Sequence, residues 1–459
     1  MENKRNSFST SFGFVLASAA SAVGLGNIWR FPYLAAKDGG GVFLLVYIIL
    51  ALTFGFTLLI SEVAIGRKTR QSAYTAYAAL NKRAGWVGVL ASAVPFIILP
   101  YYALIGGWVL KYFTAFVTGD ALASAEDGYF SGFITAQISP IVFDVVFLAA
   151  TAFVVYKGVE QGIERLSRIL MPVLLFLVIG ISIFSLTIEG EGGRTGLEGF
   201  AVYVIPNFSG MSFKTFFYIV VDAMGQLFYS ISVAMGIMVT YGSYFKSESN
   251  LVKSVNQIEI FDTLVAFLAG IMIIPAVYAF LGMEGMQNSG PGLMFIALPK
   301  VFAKMGSIGV IVGALFFLMV LFAALTSSVS VMEAVVSGCI DRFGWSRHKA
   351  VVLEGGFALI LGIIVCLGYN VFYFEATLPN GVTAQILDIF DYISNYILMP
   401  VVAIGTCILV GWVIKPQTII AEITRNGEHF ARKNLYIVMV KYIAPILLTI
   451  LLLGAFGVF

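Results

Sequence analysis

The sequence predicts an all-α polytopic membrane protein. Of its 459 residues, 59% are hydrophobic and only 11% are charged, and the mean hydropathy is +0.95. A soluble chain of this length could not cover its surface with so few charged groups. The apolar runs are much longer than a barrel strand and lack the alternation of one, so the spans are expected to be helices.

Eleven apolar stretches are long enough to cross a bilayer, which takes about 20 residues in a helix. Three of them, 11–36, 213–245 and 305–340, exceed the membrane thickness and are expected to tilt, break or project beyond it. The eleven predicted spans are 11–36, 41–66, 86–117, 141–157, 165–187, 213–245, 258–283, 305–340, 349–370, 382–414 and 436–459.

The distribution of basic residues predicts the orientation in the membrane. If the N terminus lies in the cytoplasm, 20 of the 27 Lys and Arg residues fall in cytoplasmic segments. Because cytoplasmic loops carry an excess of Lys and Arg, we expect a cell (inner) membrane protein with its N terminus inside and its C terminus outside. The cytoplasmic loops are short and contain no Walker-type motif, so neither an ATPase subunit nor nucleic acid is expected as a partner.

Two spans carry comparable interruptions of polar and small residues. The first contains "AVGLGN" (22–27) and the sixth contains "YSISVAMG" (229–236). Small residues also serve helix packing, but broken helices at matching places of two halves are typical of a transporter site. The predicted division is a cytoplasmic segment 1–10, five-span repeats 11–187 and 213–414, an extracellular loop 188–212, a cytoplasmic loop 415–435 and a final span 436–459.

The stretch "SAVGLGNIWRFP" (21–32) carries the strongest functional signal. Close helix packing alone would explain its glycines, but Asn27, Arg30 and Pro32 follow within the same dozen residues. Polar groups inside the membrane are costly and usually functional. Unwinding at Gly24 and Gly26 would free carbonyl oxygens suited to a small cation. It would also present amides to an anion such as a carboxylate. The chemistry favours binding and transport, and we do not expect an enzyme.

The chain resembles the neurotransmitter:sodium symporters over nearly its whole length, and in particular their bacterial, eleven-span branch. The resemblance implies the leucine-transporter (LeuT) fold, with two inverted five-helix repeats, one extra C-terminal helix and sodium-coupled uptake of amino acids or amines. It is carried by "SAVGLGNIWRFPYLAAKDGGGVFLLVY" (21–47), "EVAIGR" (62–67), "YYALIGGW" (101–108), "GQLFYSISVAMGIMVTYGSY" (225–244), "GPGLMFIALP" (290–299), "ALTSSVSVMEA" (324–334) and "DIFDYIS" (388–394).

The resemblance implies two sodium sites, and hydroxyl and carbonyl oxygens are ligands that Na⁺ prefers. For Thr326 and Ser327, hydrogen bonding back to their own helix is the alternative interpretation. The first set comprises the Ala22 carbonyl, Asn27, Ser230 and Asp262. The second set comprises the carbonyls of Ala20, Val23 and Ala323 with the hydroxyls of Thr326 and Ser327.

Asp262 departs from the pattern of many animal relatives, which carry Asn there and a chloride-binding Ser one turn later, where this chain has Ala266. A fixed carboxylate beside sodium can supply the charge that chloride supplies elsewhere, so transport is expected to be chloride-independent. We hypothesise that Asp262 takes up a proton when the empty carrier returns, because burial disfavours a bare carboxylate. The alternative is a solvated aspartate at the cytoplasmic head of span seven.

The implied substrate site lies between the two breaks. Met235 stands where the best-known bacterial relative has Phe, and a flexible methionine favours larger hydrophobic guests. The expected substrates are hydrophobic or aromatic L-amino acids. The site residues are Ser21, Ala22, Leu25, Gly26, Ile98, Tyr102, Tyr229, Ser230, Ser232, Met235, Ser327 and Val331.

The resemblance also implies two gates. Outside, Arg30 would pair with Asp391 beside Gln226, with Tyr102 and Tyr229 as a lid. Inside, Arg5 would pair with Asp341 near Tyr244, and Phe8 would form the aromatic latch; Glu62 is expected to brace this half. Two other functions remain open at this point, an amino-acid-gated ion channel and a sensor that binds without transport.

Overall fold

The computed structural model describes residues 7–285 and 290–458, which form a bundle of helices. Among these residues, nine helices are long and apolar enough to cross a membrane, and one bent pair makes a tenth such segment. The helices are α1 Ser11–Ala22, α2 Gly26–Lys37, α3 Gly41–Thr69, α4 Ala73–Leu80, α5 Lys82–Thr118, α6 Tyr129–Ile134, α7 Ser139–Tyr156, α8 Val159–Leu186, α9 Gly196–Val204, α10 Phe213–Ser230, α11 Ile237–Tyr244, α12 Leu251–Gly285, α13 (290–304), α14 Ser307–Phe343, α15 Arg347–Leu367, α16 Ile386–Val413, α17 Pro416–Ile423 and α18 Lys433–Ala455. Two short antiparallel strands, β1 Ala376–Thr377 and β2 Thr383–Ala384, precede α16.

The first predicted span is broken where the sequence places its glycines. Helix α1 begins after Thr10, whose side chain caps it by accepting a hydrogen bond from the Gly13 amide at 2.9 Å. It ends at Ala22, and Val23 is extended with ψ of 91°. Helix α2 then resumes at an angle of 52° to α1. The predicted interruption is confirmed.

The sixth predicted span is broken as well, between α10 and α11. Ser232, Ala234 and Gly236 have φ values of 54°, 61° and 71°. A left-handed backbone is unfavourable for residues other than glycine, so the surroundings must hold this segment in place. One such support is Glu62 on α3, whose Oε1 accepts a hydrogen bond from the Ala234 amide at 2.7 Å. Glu62 therefore braces the break itself.

The third overlong span behaves differently, because it is one continuous helix. Helix α14 runs for 37 residues from Ser307 to Phe343, about 55 Å at 1.5 Å per residue. It exceeds the hydrocarbon core of a bilayer, about 30 Å. Of the three outcomes expected for this span, a break does not occur. The helix is long enough to tilt or to project beyond the bilayer.

Basic residues at the helix ends and in the connecting segments, among them Arg67 and Lys246, lie at one end of the bundle, which we call the basic end. There Arg67 pairs with Glu422 at 2.8 Å, and Lys246 donates to the Ser9 carbonyl at 2.7 Å. At the opposite end Lys37 pairs with Asp222 at 2.8 Å. The two broken spans lie between these ends, so their breaks face each other inside the bundle.

Candidate functional site

A cavity lies between the two breaks. All twelve residues predicted to bind the substrate line this cavity, together with Gly24, Asn27 and Ile237. The lining residues are Ser21, Ala22, Gly24, Leu25, Gly26, Asn27, Ile98, Tyr102, Tyr229, Ser230, Ser232, Met235, Ile237, Ser327 and Val331.

Hydrogen bonds join the two breaks to each other. Ser232 Oγ donates to the Ser21 carbonyl at 3.0 Å, and Ser21 Oγ donates to Ser232 Oγ at 3.2 Å. Ser327 Oγ, from α14, donates to the same Ser21 carbonyl at 3.0 Å. The last turn of α1 thus offers a carbonyl oxygen to groups from both neighbouring segments. A carbonyl oxygen at the end of a helix, without a helical hydrogen-bond partner, can also accept a hydrogen bond from an ammonium group.

A buried carboxylate, that of Asp262, lies behind the lining residues Asn27 and Ser230. Asp262 Oδ1 accepts hydrogen bonds from Asn27 Nδ2 and from Ser230 Oγ, both at 2.8 Å. Asp262 Oδ2 is buried and has no hydrogen-bond partner among the described residues. The Asp262 side chain is 0% exposed and lies three turns into α12. The alternative of a solvated aspartate at the head of the span is therefore wrong.

The members of the first predicted sodium set are thus brought together. Asn27 Nδ2 also donates to Ser230 Oγ at 2.9 Å, while Asn27 Oδ1 accepts from the Gly24 amide at 3.1 Å. Ala22 lines the adjoining cavity. The unpaired carboxylate oxygen of Asp262 and the hydroxyl oxygen of Ser230 are ligands that suit a hard cation, whereas Asn27 turns its Nδ2 towards them.

The second predicted set is brought together in part. Ser327 Oγ reaches across to the Val23 carbonyl, at 3.5 Å. Thr326 Oγ1 instead lies 3.0 Å from the Phe322 carbonyl and 3.2 Å from the Ala323 carbonyl, within its own helix. The back-bonded alternative therefore describes Thr326, whereas Ser327 bridges two helices. Ala20, the remaining member, is buried in α1.

Two tyrosines and one glutamine stand close to the second half of the first span. A Cβ on Gly26 would lie 2.7 Å from Cδ1 of Tyr229, so this backbone and the Tyr229 ring are in close contact. Tyr102 lines the same cavity. Gln226 Nε2 donates to the Gly26 carbonyl at 3.0 Å. Gln226, the glutamine predicted beside the outer gate, therefore hydrogen-bonds to the backbone of the broken helix.

The predicted outer ion pair is not formed in this structure. Among residues 7–285 and 290–458, no ion pair within 4.0 Å joins Arg30 to Asp391. Asp391 Oδ1 accepts hydrogen bonds from Asn395 Nδ2 at 2.5 Å and Tyr101 Oη at 3.3 Å. The Arg30 guanidinium lies 5.9 Å from the centre of the Tyr396 ring. Asn395, one turn along the same helix, thus occupies Oδ1 of Asp391 in place of the Arg30 guanidinium.

The predicted inner latch is described in part. Arg5 lies outside the described residues. Phe8 is buried, its amide donates to the Tyr244 carbonyl at 3.2 Å, and its ring packs edge-on against Tyr244 at 6.2 Å. Asp341 Oδ2 accepts a hydrogen bond from the Ser72 amide at 2.6 Å. Asp341 therefore contacts the segment between α3 and α4.

Sequence reasoning missed an ion pair at the basic end. Arg347 Nη1 lies 2.5 Å from Glu333 Oε2, and Arg347 Nη2 lies 2.9 Å from Glu333 Oε1. The Tyr244 hydroxyl donates to the same Glu333 Oε1 at 2.6 Å. A signal was available, because Glu333 stands inside the apolar stretch "SVSVMEAVV" and a charge there needs a partner.

A second missed contact involves the start of α1. Glu164 accepts hydrogen bonds from the Ser9 amide at 2.7 Å and from Ser9 Oγ at 2.6 Å. Arg168 pairs with Glu164 at 2.6 Å. A carboxylate beside a helix N terminus is favourable.

The bundle and its cavity define a class of protein, a membrane transporter whose ligand site lies between two broken helices. The profile of the sodium:neurotransmitter symporter family matches residues 5–128 and 132–458. An uncharacterised sodium-dependent transporter of Bacillus subtilis (strain 168) is 33% identical over 100% of this chain and 99% of its own. A sodium- and chloride-dependent taurine transporter of Rattus norvegicus is 24% identical over 89% and 71%.

A solved structure has a similar fold. The crystal structure of MhsT in complex with L-phenylalanine matches with a TM-score of 0.86 and 35% identity, covering 98% of this chain and 100% of that one. The chain belongs to the sodium:neurotransmitter symporter family, which consists of transporters. Its fold is the LeuT fold, with helices one and six broken.

Proposed function

We propose that this protein couples the inward movement of sodium to the uptake of hydrophobic or aromatic L-amino acids by alternating access, without chloride. The observation that carries the proposal is the cavity between the two breaks, with the buried carboxylate of Asp262 at its side. The proposed orientation places the N terminus and the basic end in the cytoplasm and the C terminus outside. The proposed membrane is the cell membrane.

The main-chain groups of an amino acid fit the polar part of the cavity. Its ammonium group would meet carbonyls near Ser21, Tyr229 and Ser232. Its carboxylate would meet a sodium ion, the amides of Leu25 and Gly26, and the Tyr102 hydroxyl. Support comes from the lining, which includes all of these residues. The start of a half-helix is favourable for an anion, because its amides are unpaired and its dipole is positive.

The apolar part of the cavity supports a hydrophobic side chain. Ile98, Met235, Ile237 and Val331 line it, and Met235 can change rotamer to admit a larger ring. The MhsT relative was crystallised with L-phenylalanine. We propose that this chain also binds L-phenylalanine.

Two sodium ions are proposed as co-transported substrates. The first would use the Ala22 carbonyl, Asn27, Ser230 and Asp262, and the orphaned Oδ2 of Asp262 supports it because a buried carboxylate oxygen needs a partner. The second would use the carbonyls of Ala20, Val23 and Ala323 with the hydroxyls of Thr326 and Ser327. The reach of Ser327 to the Val23 carbonyl supports that set.

Chloride independence follows from the charge of Asp262. Relatives include proteins named as chloride-dependent, so family membership leaves this property open. In this chain Asp262 is hydrogen-bonded to Asn27 and Ser230. These bonds would hold its negative charge beside the first proposed sodium ion. We further propose that Asp262 carries a proton on the empty return step, because sodium would no longer balance its charge.

Two closures are proposed for alternating access. Arg30 and Asp391 would pair when the outer side closes further, with Tyr102 and Tyr229 as the lid. The inner closure would use Arg5, Phe8, Asp341 and Tyr244. The burial of Phe8 supports that role. A channel would have no use for two closures, and a sensor would bind without moving its ligand.

Flux in sealed vesicles tests the proposal. The purified protein is reconstituted into proteoliposomes, and uptake of labelled L-phenylalanine is followed with an inward sodium gradient in chloride or in gluconate. We expect saturable, uphill uptake that is the same in both salts and absent with potassium. Downhill flux alone would favour a channel, and binding without flux would favour a sensor. A competition panel of the 20 amino acids then tests the pocket, since exclusive inhibition by glycine or charged amino acids would contradict it.

A further inference from the structure

A second carboxylate lies one helical turn from Asp262, towards the basic end. Glu259 stands three positions before Asp262 on α12, and residues at this spacing are neighbours on a helix, with Cβ atoms about 5–6 Å apart. The Glu259 side chain is only 7% exposed. A buried charge at this position needs a partner and is felt by Asp262 through a poorly screening interior.

Arg432 is that partner. Its Nη2 lies 3.0 Å from Glu259 Oε2 and its Nη1 lies 3.2 Å from Glu259 Oε1, so the pair is bidentate. Arg432 Nη2 also donates to Asn256 Oδ1 at 2.5 Å. Asn256 and Glu259 are both on α12, whereas Arg432 comes from the connection before α18. The guanidinium therefore neutralises a carboxylate on the helix that carries Asp262.

The same guanidinium also binds α3. Arg432 Nη1 donates to the Leu52 carbonyl at 2.9 Å, and its Cζ lies 3.4 Å from the centre of the Phe56 ring. Leu52 belongs to a wider, π-helical turn, Ala51–Gly55. Such turns are frequent at functional sites. Arg432 thus fixes its charge between α3 and α12, on the basic side of Asp262.

We propose that Glu259 and Arg432 set the sodium affinity of the Asp262 site through their opposite charges. Glu259 attracts a cation bound at Asp262, and Arg432 cancels most of that attraction. Neither residue contacts the cation, so both act as positioning and tuning residues. The inference rests on the proposed function, because it requires sodium to bind at Asp262.

The charges predict opposite effects of the two single substitutions. Glu259→Gln leaves the positive charge of Arg432 uncancelled, so the half-saturating sodium concentration should rise about 3- to 10-fold. Arg432→Gln leaves the negative charge of Glu259 uncancelled, so the same quantity should fall by a similar factor. The double substitution should return it to within about twofold of the unmodified chain. A factor of 10 corresponds to about 1.4 kcal/mol. Purely structural roles would shift both single variants in the same direction.

The measurement is equilibrium binding of ²²Na⁺ to the detergent-solubilised full chain, with and without L-phenylalanine. Glu422→Gln is the matched control, because the Arg67–Glu422 pair, at 2.8 Å, is also buried and also joins α3 to the segment between α16 and α18. It should leave sodium binding unchanged. If Arg432→Gln does not fold, Glu259→Gln and the double variant decide the question, because the first should raise the half-saturating sodium concentration and the second should restore it.

The outcomes separate the two proposals. If the unmodified chain binds no ²²Na⁺, the proposed function fails and this inference fails with it. If the unmodified chain binds sodium but the single variants shift in the same direction, or do not shift, only this inference is overturned. An equal shift in the Glu422→Gln control would overturn it as well, because the effect would then not be local.

Discussion

Asn27 and Asp262, 235 positions apart in the chain, are joined by a hydrogen bond of 2.8 Å inside the bundle. Asn27 opens the second half of the broken first span, and Asp262 lies deep in α12. The bond therefore ties the break to a helix of the other half of the chain. Asp262 keeps one oxygen, Oδ2, buried without a partner among the described residues, and that oxygen is the ligand that we propose for the first sodium ion.

The first prediction concerns Asp262→Asn. The substitution removes a charge that accepts two hydrogen bonds, and hydrogen bonds to charged groups contribute about 1.5–3 kcal/mol each. We expect sodium-driven uptake of labelled L-phenylalanine in chloride-free proteoliposomes to fall by about tenfold or more. The double variant Asp262→Asn/Ala266→Ser, which restores the chloride-binding pattern of animal relatives, should regain uptake only in chloride. Equal uptake by the single variant in gluconate and chloride, at the level of the unmodified chain, would contradict the proposal.

The second prediction concerns Gly24→Ala. A Cβ there would lie 2.8 Å from Ser327 Oγ and 3.2 Å from the Tyr102 hydroxyl, both of which line the cavity. Ser327 would have to turn away, losing its contacts with the carbonyls of Ser21 and Val23. We expect sodium-dependent L-phenylalanine binding to weaken about tenfold. Gly180→Ala is the matched control, since a Cβ there meets nothing within 4 Å, and unchanged binding in both variants would refute the crowding argument.

The spans and their breaks could be predicted from the sequence because both signals are local. Long apolar runs are visible in any window of the chain, and polar or glycine-rich interruptions stand out against them. The left-handed φ values of Ser232 and Ala234 fall inside the predicted interruption of the sixth span. The backbone is therefore irregular where the sequence pattern predicted a break. The residues that line the cavity came from the resemblance to the family, which periodicity alone could not supply.

The partners of charged side chains could not be predicted in the same way. Arg30 was expected to pair with Asp391, yet Asn395, one turn away on the same helix, occupies that carboxylate. Glu333 and Arg347 are 14 positions apart and meet only because α14 and α15 pack side by side. Tertiary geometry decides which of several nearby groups a long charged side chain contacts. The sequence therefore shows that a charged residue is present but does not show its partner.

The third prediction concerns Met235→Phe. Met235 lines the apolar part of the cavity and is almost fully buried, so a rigid ring there removes space for the substrate side chain. We expect inhibition of labelled leucine uptake by tryptophan and phenylalanine to weaken about tenfold relative to inhibition by alanine or valine. Met235→Leu, which conserves volume, should change the order of competitors little. An unaltered order in Met235→Phe would place the substrate side chain elsewhere.

The fourth prediction concerns Arg347→Ala. Glu333 is completely buried, and loss of its cation would leave an uncompensated charge, which typically costs about 3–5 kcal/mol. We expect the melting temperature of the purified protein to fall by roughly 3–5 °C, because a chain of 459 residues has a large unfolding entropy. Arg342→Ala removes an exposed arginine from the last turn of α14 and should change the melting temperature by little. Glu333→Gln in the Arg347→Ala background should recover part of the loss, and no recovery would show that the arginine acts through packing alone.

The last prediction concerns the pH dependence of stability at the end opposite the basic one. Burial and the neighbouring Asp222 raise the pKa of Asp38 from its ordinary value of 3.8 to about 7, although Lys37 at 3.8 Å opposes this. The folded chain therefore holds this proton more tightly than the unfolded chain does. The resulting stability is fully present below about pH 4 and is lost as the pH rises through about 7.

We therefore expect the melting temperature to fall between pH 5 and pH 8, and Asp38→Asn to flatten that slope. At pH 8 the variant should melt about 1 °C above the unmodified chain if it gains about 1 kcal/mol. Asp127→Asn is the control, because the Asp127 side chain is 88% exposed and its removal should leave the slope intact. Parallel slopes for Asp38→Asn and the unmodified chain would show that Asp38 is ionised throughout this range, balanced by Lys37.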